Sequence, residues 1–147
     1  MRVTILRSIV LLLCAVLLSP TFAGEEDKPF AEKRIVLQIS DRDPSKQTLV
    51  LNVASNLLRH YGQDKVDIEI VAFGPGLRLL FAENSNAPRI ERLAGSGVRF
   101  SACNNTIRKM TSILGHEPQL NPRAVHVSAG VVRITDLVDQ GYRLIKP

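Results

Sequence analysis

Strand-like and helix-like patterns alternate along the chain from residue 34 to its end, and this alternation limits the possible folds more than any other feature. Short apolar or β-branched runs, typical of strands, cover residues 34–40, 66–73, 98–102, 123–129 and 142–146. Helical patterns separate these runs. The order predicts an α/β protein, a three-layer α/β/α sandwich in which helices cover both faces of a mainly parallel five-stranded sheet.

The predicted helices carry their own start and stop signals. The first has Asp43 as its cap and Pro44 at its first position, and it ends at Gly62. Two short helices are predicted over residues 77–83 and 87–94. Stripes of side chains at helical spacing indicate two more helices. The first ends at Gly115, and its stripe is Ile107, Met110, Thr111 and Leu114. The second ends at Gly141, and its stripe is Val131, Ile134, Leu137 and Val138.

The first 23 residues have the pattern of a secretory signal peptide. Arg2 and Arg7 precede an apolar run, and a small-residue cleavage site ends at Ala23. The run is much shorter than the roughly 20 apolar residues of a membrane-spanning helix, so no stable membrane anchor is expected after cleavage. The charged residues 24–33 are expected to form a flexible N-terminal segment. The pattern predicts a periplasmic or secreted protein.

Composition excludes one class of partner and indicates a single domain. The 19 Lys and Arg residues barely exceed the 14 Asp and Glu residues, and loss of Arg2 and Arg7 with the signal lowers the formal charge from +5 to +3. A dedicated nucleic-acid-binding protein would show a concentrated basic face with aromatic platforms, and this mild charge balance, with only 5% aromatic residues, argues against that class. A length of 147 residues fits one domain after the signal.

Cys103 is the candidate catalytic residue. Cys14 lies in the predicted signal, so Cys103 is the only thiol in the predicted mature chain and has no internal partner for a disulfide. Asn104 or Asn105 is a suitable cap for the following helix, which places the thiol just before a helix start. Unpaired N–H groups there stabilise a thiolate. The same position also suits a small, buried, inert cysteine, and the local pattern leaves both interpretations open.

Other strand ends contribute weaker candidates, because ligands of open α/β sheets bind beyond the carboxyl ends of the strands. These ends carry Ser40 and Asp41, the Gly74-Pro75-Gly76 turn, and Ser128, Ala129 and Gly130. The Gly-Pro-Gly turn offers N–H groups to an anion, but it lacks the third glycine of a dinucleotide fingerprint and also fits a plain tight turn. The three histidines show no ligand spacing, so no metal site is predicted.

The segments "RIVLQISDRDPSKQTLVLNVASNLL", "VDIEIVAFGPGLRLL", "SGVRFSACNNTIRKM" and "VSAGVVRITDLVDQGYRLIKP" together resemble the DsrE/DsrF-like family of sulfur-relay proteins. The resemblance covers residues 34–147, which would form one DsrE/DsrF-like domain. It implies homo- or hetero-oligomers of a three-layer α/β fold without a cofactor, in which a cysteine matching Cys103 carries sulfur as a persulfide. It also implies a pocket around the thiol, with the candidate binding residues Gly74, Pro75, Gly76, Asn104, Asn105 and Thr106.

The leading expectation is therefore an exported thiol protein, a possible sulfurtransferase or sulfur carrier, that accepts and transfers sulfane sulfur on Cys103. Its partner would be a donor or acceptor protein or a small thiol, and the protein would form a homo-oligomer. Two alternatives stay open. One is a non-catalytic oligomeric module that binds a small ligand or a partner and has a structural cysteine, and the other is a redox-sensing thiol.

Overall fold

The computed structural model describes residues 28–147. The predicted signal peptide with Cys14, and residues 24–27 of the predicted flexible segment, lie outside the described residues. Ten elements follow in chain order: β1 (Lys33–Ile39), α1 (Pro44–Tyr61), β2 (Val66–Ala72), a 3₁₀ helix (Gly74–Leu80), α2 (Ala87–Gly95), β3 (Val98–Cys103), α3 (Asn104–Leu114), β4 (Ala124–Val127), α4 (Gly130–Asp139) and β5 (Arg143–Ile145). Among these residues, no helix combines the length and apolar character needed to span a bilayer.

The five strands form one sheet in the order β4-β3-β2-β1-β5, and every neighbouring pair is parallel. The predicted α/β class and five-stranded sheet are confirmed. β2 lies at the centre, and all seven of its residues are buried. Because every strand runs in the same direction, the carboxyl ends of β1, β2, β3 and β4 meet at one edge, where Cys103 ends β3.

Helices cover both faces of the sheet and create two cores of unequal size. The larger core packs α1, α2, α3 and the 3₁₀ helix against one face, with Leu51, Ile70 and Phe100 among its fully buried or nearly fully buried side chains. The smaller core lies under α4, where Ile134 and Leu137 pack against β1 and β2. The protein is thus a three-layer sandwich with a single helix over one face.

The start and end of α1 follow the predicted signals. Asp43 adopts an extended conformation and its Oδ1 accepts a hydrogen bond of 2.8 Å from the N–H of Ser45. Gly62 ends the helix at a positive φ of 86°. The cap depends on a local hydrogen bond and the helix end on the backbone conformation of one residue, so residues a few positions apart are sufficient to specify both ends of α1.

Two helical predictions are wrong in detail. The short helix predicted over residues 77–83 is a 3₁₀ helix over Gly74–Leu80. Its start passes directly against the end of β1, where a Cβ atom on Gly76 would lie 2.4 Å from the carbonyl oxygen of Ile39. In α4, Val131 and Val138 of the predicted stripe are 60% and 44% exposed. Because α4 has no neighbouring helix on that face among the described residues, only the side chains that point at the sheet, Ile134 and Leu137, are buried.

Residues before β1 contact the sheet as well. The Nζ atom of Lys28 donates hydrogen bonds to the carbonyl oxygens of Gln63, at 2.7 Å, and Val66, at 3.2 Å. β1 begins at Lys33, so the strand takes in the last residue of the segment 24–33. These contacts connect residue 28 with the amino-terminal edge of β2, on the opposite side of the sheet from Cys103.

Candidate functional site

Cys103 lies at the junction between β3 and α3. It is the last residue of the strand, where it pairs with Val127 of β4, and it is also the N-cap of the helix. The predicted caps Asn104 and Asn105 are therefore corrected, because both are already helical residues of α3. The helix therefore begins one or two positions earlier than predicted, which brings the sulfur closer to its free N–H groups.

The thiol is largely buried but has polar neighbours. Cys103 is only 4% exposed, and burial by itself raises the pKa of a thiol. Hydrogen bonds from the hydroxyl of Thr106 and from the backbone N–H groups of Gly130, Thr106 and Asn105 outweigh this effect, so the pKa of Cys103 is lowered from its ordinary value. These four donors stabilise the thiolate relative to the neutral thiol.

The N-termini of two helices converge on the sulfur. Asn105 and Thr106 lie in the first turn of α3, whereas Gly130 is the first residue of α4. A Cβ atom on Gly130 would lie 3.0 Å from Cβ of Phe73, so a residue without a side chain allows α4 to approach this closely. The position of Gly130 at this edge of the sheet was predicted from the sequence, but its effect on Cys103 was not.

The predicted binding residues separate into two groups. The N–H of Gly74 donates a 2.8 Å hydrogen bond to Oγ1 of Thr106, which joins the Gly-Pro-Gly turn to the start of α3. A cleft of about 400 Å³ is lined by Gly74, Pro75, Asn105 and Thr106 of the predicted set, together with basic and apolar side chains. Gly76 is buried against β1 and is not a lining residue of the cleft.

The side chains of Asn104 and Asn105 have partners that sequence analysis did not find. Oδ1 of Asn104 lies 2.9 Å from Nδ1 of His126, on the neighbouring strand β4. Oδ1 of Asn105 accepts a hydrogen bond from Arg108. Neither side chain caps α3, so Asn105 contributes to the thiol site through its backbone N–H.

A buried ion pair fixes the first turns of α4 to the sheet. The guanidinium of Arg133 donates two hydrogen bonds of 2.7 Å to the carboxylate of Glu69, which is fully buried in β2. Ser101 of β3 donates a third, of 2.6 Å. Burial raises the pKa of Glu69. This effect is outweighed by the hydrogen bonds from Arg133 and Ser101 and by the charges of Arg133 and Arg99, so the pKa of Glu69 is below its ordinary value.

Arg99 extends this network toward β5. It donates to Glu69 at 3.2 Å, to Asp67 at 2.6 Å and to the hydroxyl of Tyr142 at 2.8 Å. Burial and the hydrogen bond to Asp67 raise the pKa of Tyr142 to about 12. Asp67 and Glu69 alternate with apolar residues in β2, a pattern typical of a solvent-facing side, yet both are buried under α4.

The described residues offer no arrangement typical of a metal centre. Within residues 28–147, no group of three or more His, Cys, Asp or Glu side chains is placed to hold a metal ion. Cys103 is a free thiol. The thiol lies at the start of α3, and Asn105 and Thr106 of the same first turn line the neighbouring cleft.

Comparison with solved structures gives a similarity that covers most of the chain. No protein-family model matches the chain, and no curated protein matches it. Among solved structures, the chain is similar to the protein of unknown function MTH1491 from Methanobacterium thermoautotrophicum, with 31% identity and a TM-score of 0.71. The similarity covers 78% of this chain and 99% of that chain.

Proposed function

The chain belongs to the same protein family as MTH1491, a protein of unknown function, and from that premise we propose that it is a thiol protein that accepts and transfers sulfane sulfur as a persulfide on Cys103. The observation that carries the proposal is the position of Cys103 as the N-cap of α3, where N–H groups at the N-termini of α3 and α4 and the hydroxyl of Thr106 lower the pKa of the thiol. The thiolate is the nucleophilic form of cysteine, so this environment favours attack on sulfur.

The transfer step needs no cofactor. The Cys103 thiolate attacks the outer sulfur of a donor such as thiosulfate, a new S–S bond forms, and the S–S bond of the donor breaks. Sulfite leaves with the bonding electron pair, and Cys103 becomes a persulfide anion. An acceptor thiolate then attacks the outer sulfur, which restores the Cys103 thiolate. No proton or external oxidant is required in either direction.

The resemblance of the chain to DsrE/DsrF-like sulfur-relay proteins supports the same proposal and extends it to partners. The donor or acceptor would be a small thiol or another protein, and nucleic acid has no part in the function. We further propose a homo-oligomer, supported by large apolar side chains that are solvent-exposed in the single chain, among them Val125, Val131 and Leu144. The pattern of the first 23 residues supports export to the periplasm or the exterior.

Burial favours a second candidate function. Because Cys103 is only 4% exposed, the cysteine is also compatible with a packing role in a non-catalytic module that binds a ligand or partner. This candidate predicts that Cys103→Ser leaves binding and assembly intact. The sulfur-transfer proposal instead predicts that the same substitution abolishes all sulfur loading.

Mass spectrometry after incubation with thiosulfate or polysulfide tests the proposal. The expected product is a chain heavier by one sulfur atom, with the addition on Cys103 and sensitive to dithiothreitol. Cys103→Ser, treated identically, is the matched control. A protein that stays unmodified while Cys103 also fails to react with iodoacetamide in the folded state would contradict the proposal and favour the packing role.

A further inference from the structure

The cleft beside the thiol has a strongly basic lining. Three cationic side chains line it, those of Arg42, Arg78 and Lys109, and no Asp or Glu is among its lining residues. None of the three forms a salt bridge with any described residue. We call this cavity the basic cleft. Cations without acidic partners around a cavity of about 400 Å³ are a recognition surface for an anion of ligand size.

Apolar side chains also line the basic cleft. Met110, Ile113 and Leu114 of α3 form what we call its apolar wall. Ile113 is 69% exposed and Leu114 is 42% exposed, so both have apolar surface that is not used in the core. A small inorganic anion would use only the basic side. The apolar wall therefore favours an organic anion whose body covers these side chains.

The basic cleft adjoins the thiol through Thr106. Thr106 lines the cleft, and its hydroxyl is among the groups that lower the pKa of Cys103. The guanidinium of Arg78 lies over the ring of Phe81, 5.7 Å from its centroid. An anion bound in the basic cleft would contact Asn105 and Thr106, which lie in the first turn of the helix that Cys103 caps.

We propose that the basic cleft binds small organic anions with an apolar body, of the aryl or alkyl thiosulfonate class, and that these are the sulfur donors of Cys103. The inference rests on the proposed sulfur transfer. In the step, the Cys103 thiolate attacks the outer sulfur of the thiosulfonate and forms a new S–S bond. The S–S bond of the donor breaks, and the sulfinate leaves with the electron pair, so atoms and charge balance.

Equilibrium binding of benzenesulfonate tests the cleft without any transfer chemistry, because this anion has no sulfane sulfur. Isothermal titration calorimetry is expected to detect binding to the wild-type protein and to Cys103→Ser alike. Methanesulfonate is expected to bind roughly tenfold more weakly, since it leaves most of the apolar wall uncovered. Benzenethiosulfonate is then expected to load Cys103 faster than methanethiosulfonate by a similar factor.

Matched substitutions locate the binding. Lys109→Gln and Arg78→Gln are each expected to weaken benzenesulfonate binding by about fivefold, the effect of one partly solvated charge. Arg59→Gln, an exposed arginine of α1 outside the cleft, is the control for the change in net charge and is expected to bind normally. Ile113→Ser tests the apolar wall, with the exposed Val138→Ser of α4 as its control.

Two results would overturn the inference: equal affinity for benzenesulfonate and methanesulfonate, or equal weakening by Arg59→Gln and Lys109→Gln.

Failure of the two proposals can be told apart. Loading of Cys103 by thiosulfate without any benzenesulfonate binding refutes the basic cleft alone. Binding of benzenesulfonate with the expected variant pattern, but without loading by any donor, refutes the sulfur-transfer function and leaves the anion site intact.

Discussion

Replacing Thr106 by valine tests how the structure keeps Cys103 ionised. Valine keeps the branched shape of threonine but removes the hydroxyl that helps to lower the pKa of Cys103. A hydrogen bond to a charged group contributes about 1.5–3 kcal/mol, and much less of it remains when the thiol is neutral. Taking the lower value, we expect the thiolate to lose about 1.5 kcal/mol of stabilisation, and the ionised fraction below the pKa to fall roughly tenfold.

The assay is the rate of iodoacetamide alkylation of folded protein, measured across the pH range in which the thiol titrates. Thr106→Val is expected to react roughly tenfold more slowly than wild type at mildly acidic pH. The two rates should approach each other at alkaline pH, where both thiols are ionised. Thr106→Ser keeps the hydroxyl and is the matched control, with a profile expected to follow that of the wild type.

A second effect of Thr106→Val has to be separated from the first. The hydroxyl also accepts the N–H of Gly74 at 2.8 Å, so valine leaves that donor without its partner and is expected to cost about 1–3 kcal/mol in the free energy of unfolding. Urea unfolding measures this cost. If Thr106→Val is folded at the assay temperature and its alkylation profile equals that of the wild type, the hydroxyl does not stabilise the thiolate and our reasoning is wrong.

Three further predictions concern stability. Gly130→Ala places a Cβ atom 3.0 Å from Cβ of Phe73 and is expected to cost about 1–3 kcal/mol in urea unfolding; full stability of this variant would refute the close contact. Because the folded pKa of Cys103 is lowered, its stabilising contribution should be fully present above the unfolded pKa of about 8.5 and lost as pH falls through the folded value. The stability difference between wild type and Cys103→Ser should therefore grow with pH, and a constant difference would contradict this. Glu69→Gln leaves Arg133 without its carboxylate and is expected to cost about 3–5 kcal/mol at neutral pH. Since the pKa of Glu69 is lowered, this cost should shrink in acid as pH falls through the folded value, and a cost independent of pH would be evidence against the buried ion pair.

Local signals in the sequence were sufficient to predict the elements and the class of fold. Asp43, Pro44 and Gly62 define α1 because caps depend on residues a few positions apart. The alternation of strands and helices led to the parallel sheet, and the junction of β3 with α3 was the predicted place of Cys103. Where local signals were ambiguous, as for the cap of α3, the predicted residues Asn104 and Asn105 lie one and two positions after the observed cap, Cys103.

Only the tertiary structure decided what surrounds the sulfur. Gly130 reaches Cys103 because β4 pairs with β3 and α4 returns over the sheet, a contact that no local pattern in the sequence encodes. The burial of Glu69 with Arg133 likewise depends on a helix more than sixty residues away in the chain. Periodicity and capping are properties of neighbouring residues, whereas the electrostatic environment of a thiol is the sum of groups that only the folded chain brings together.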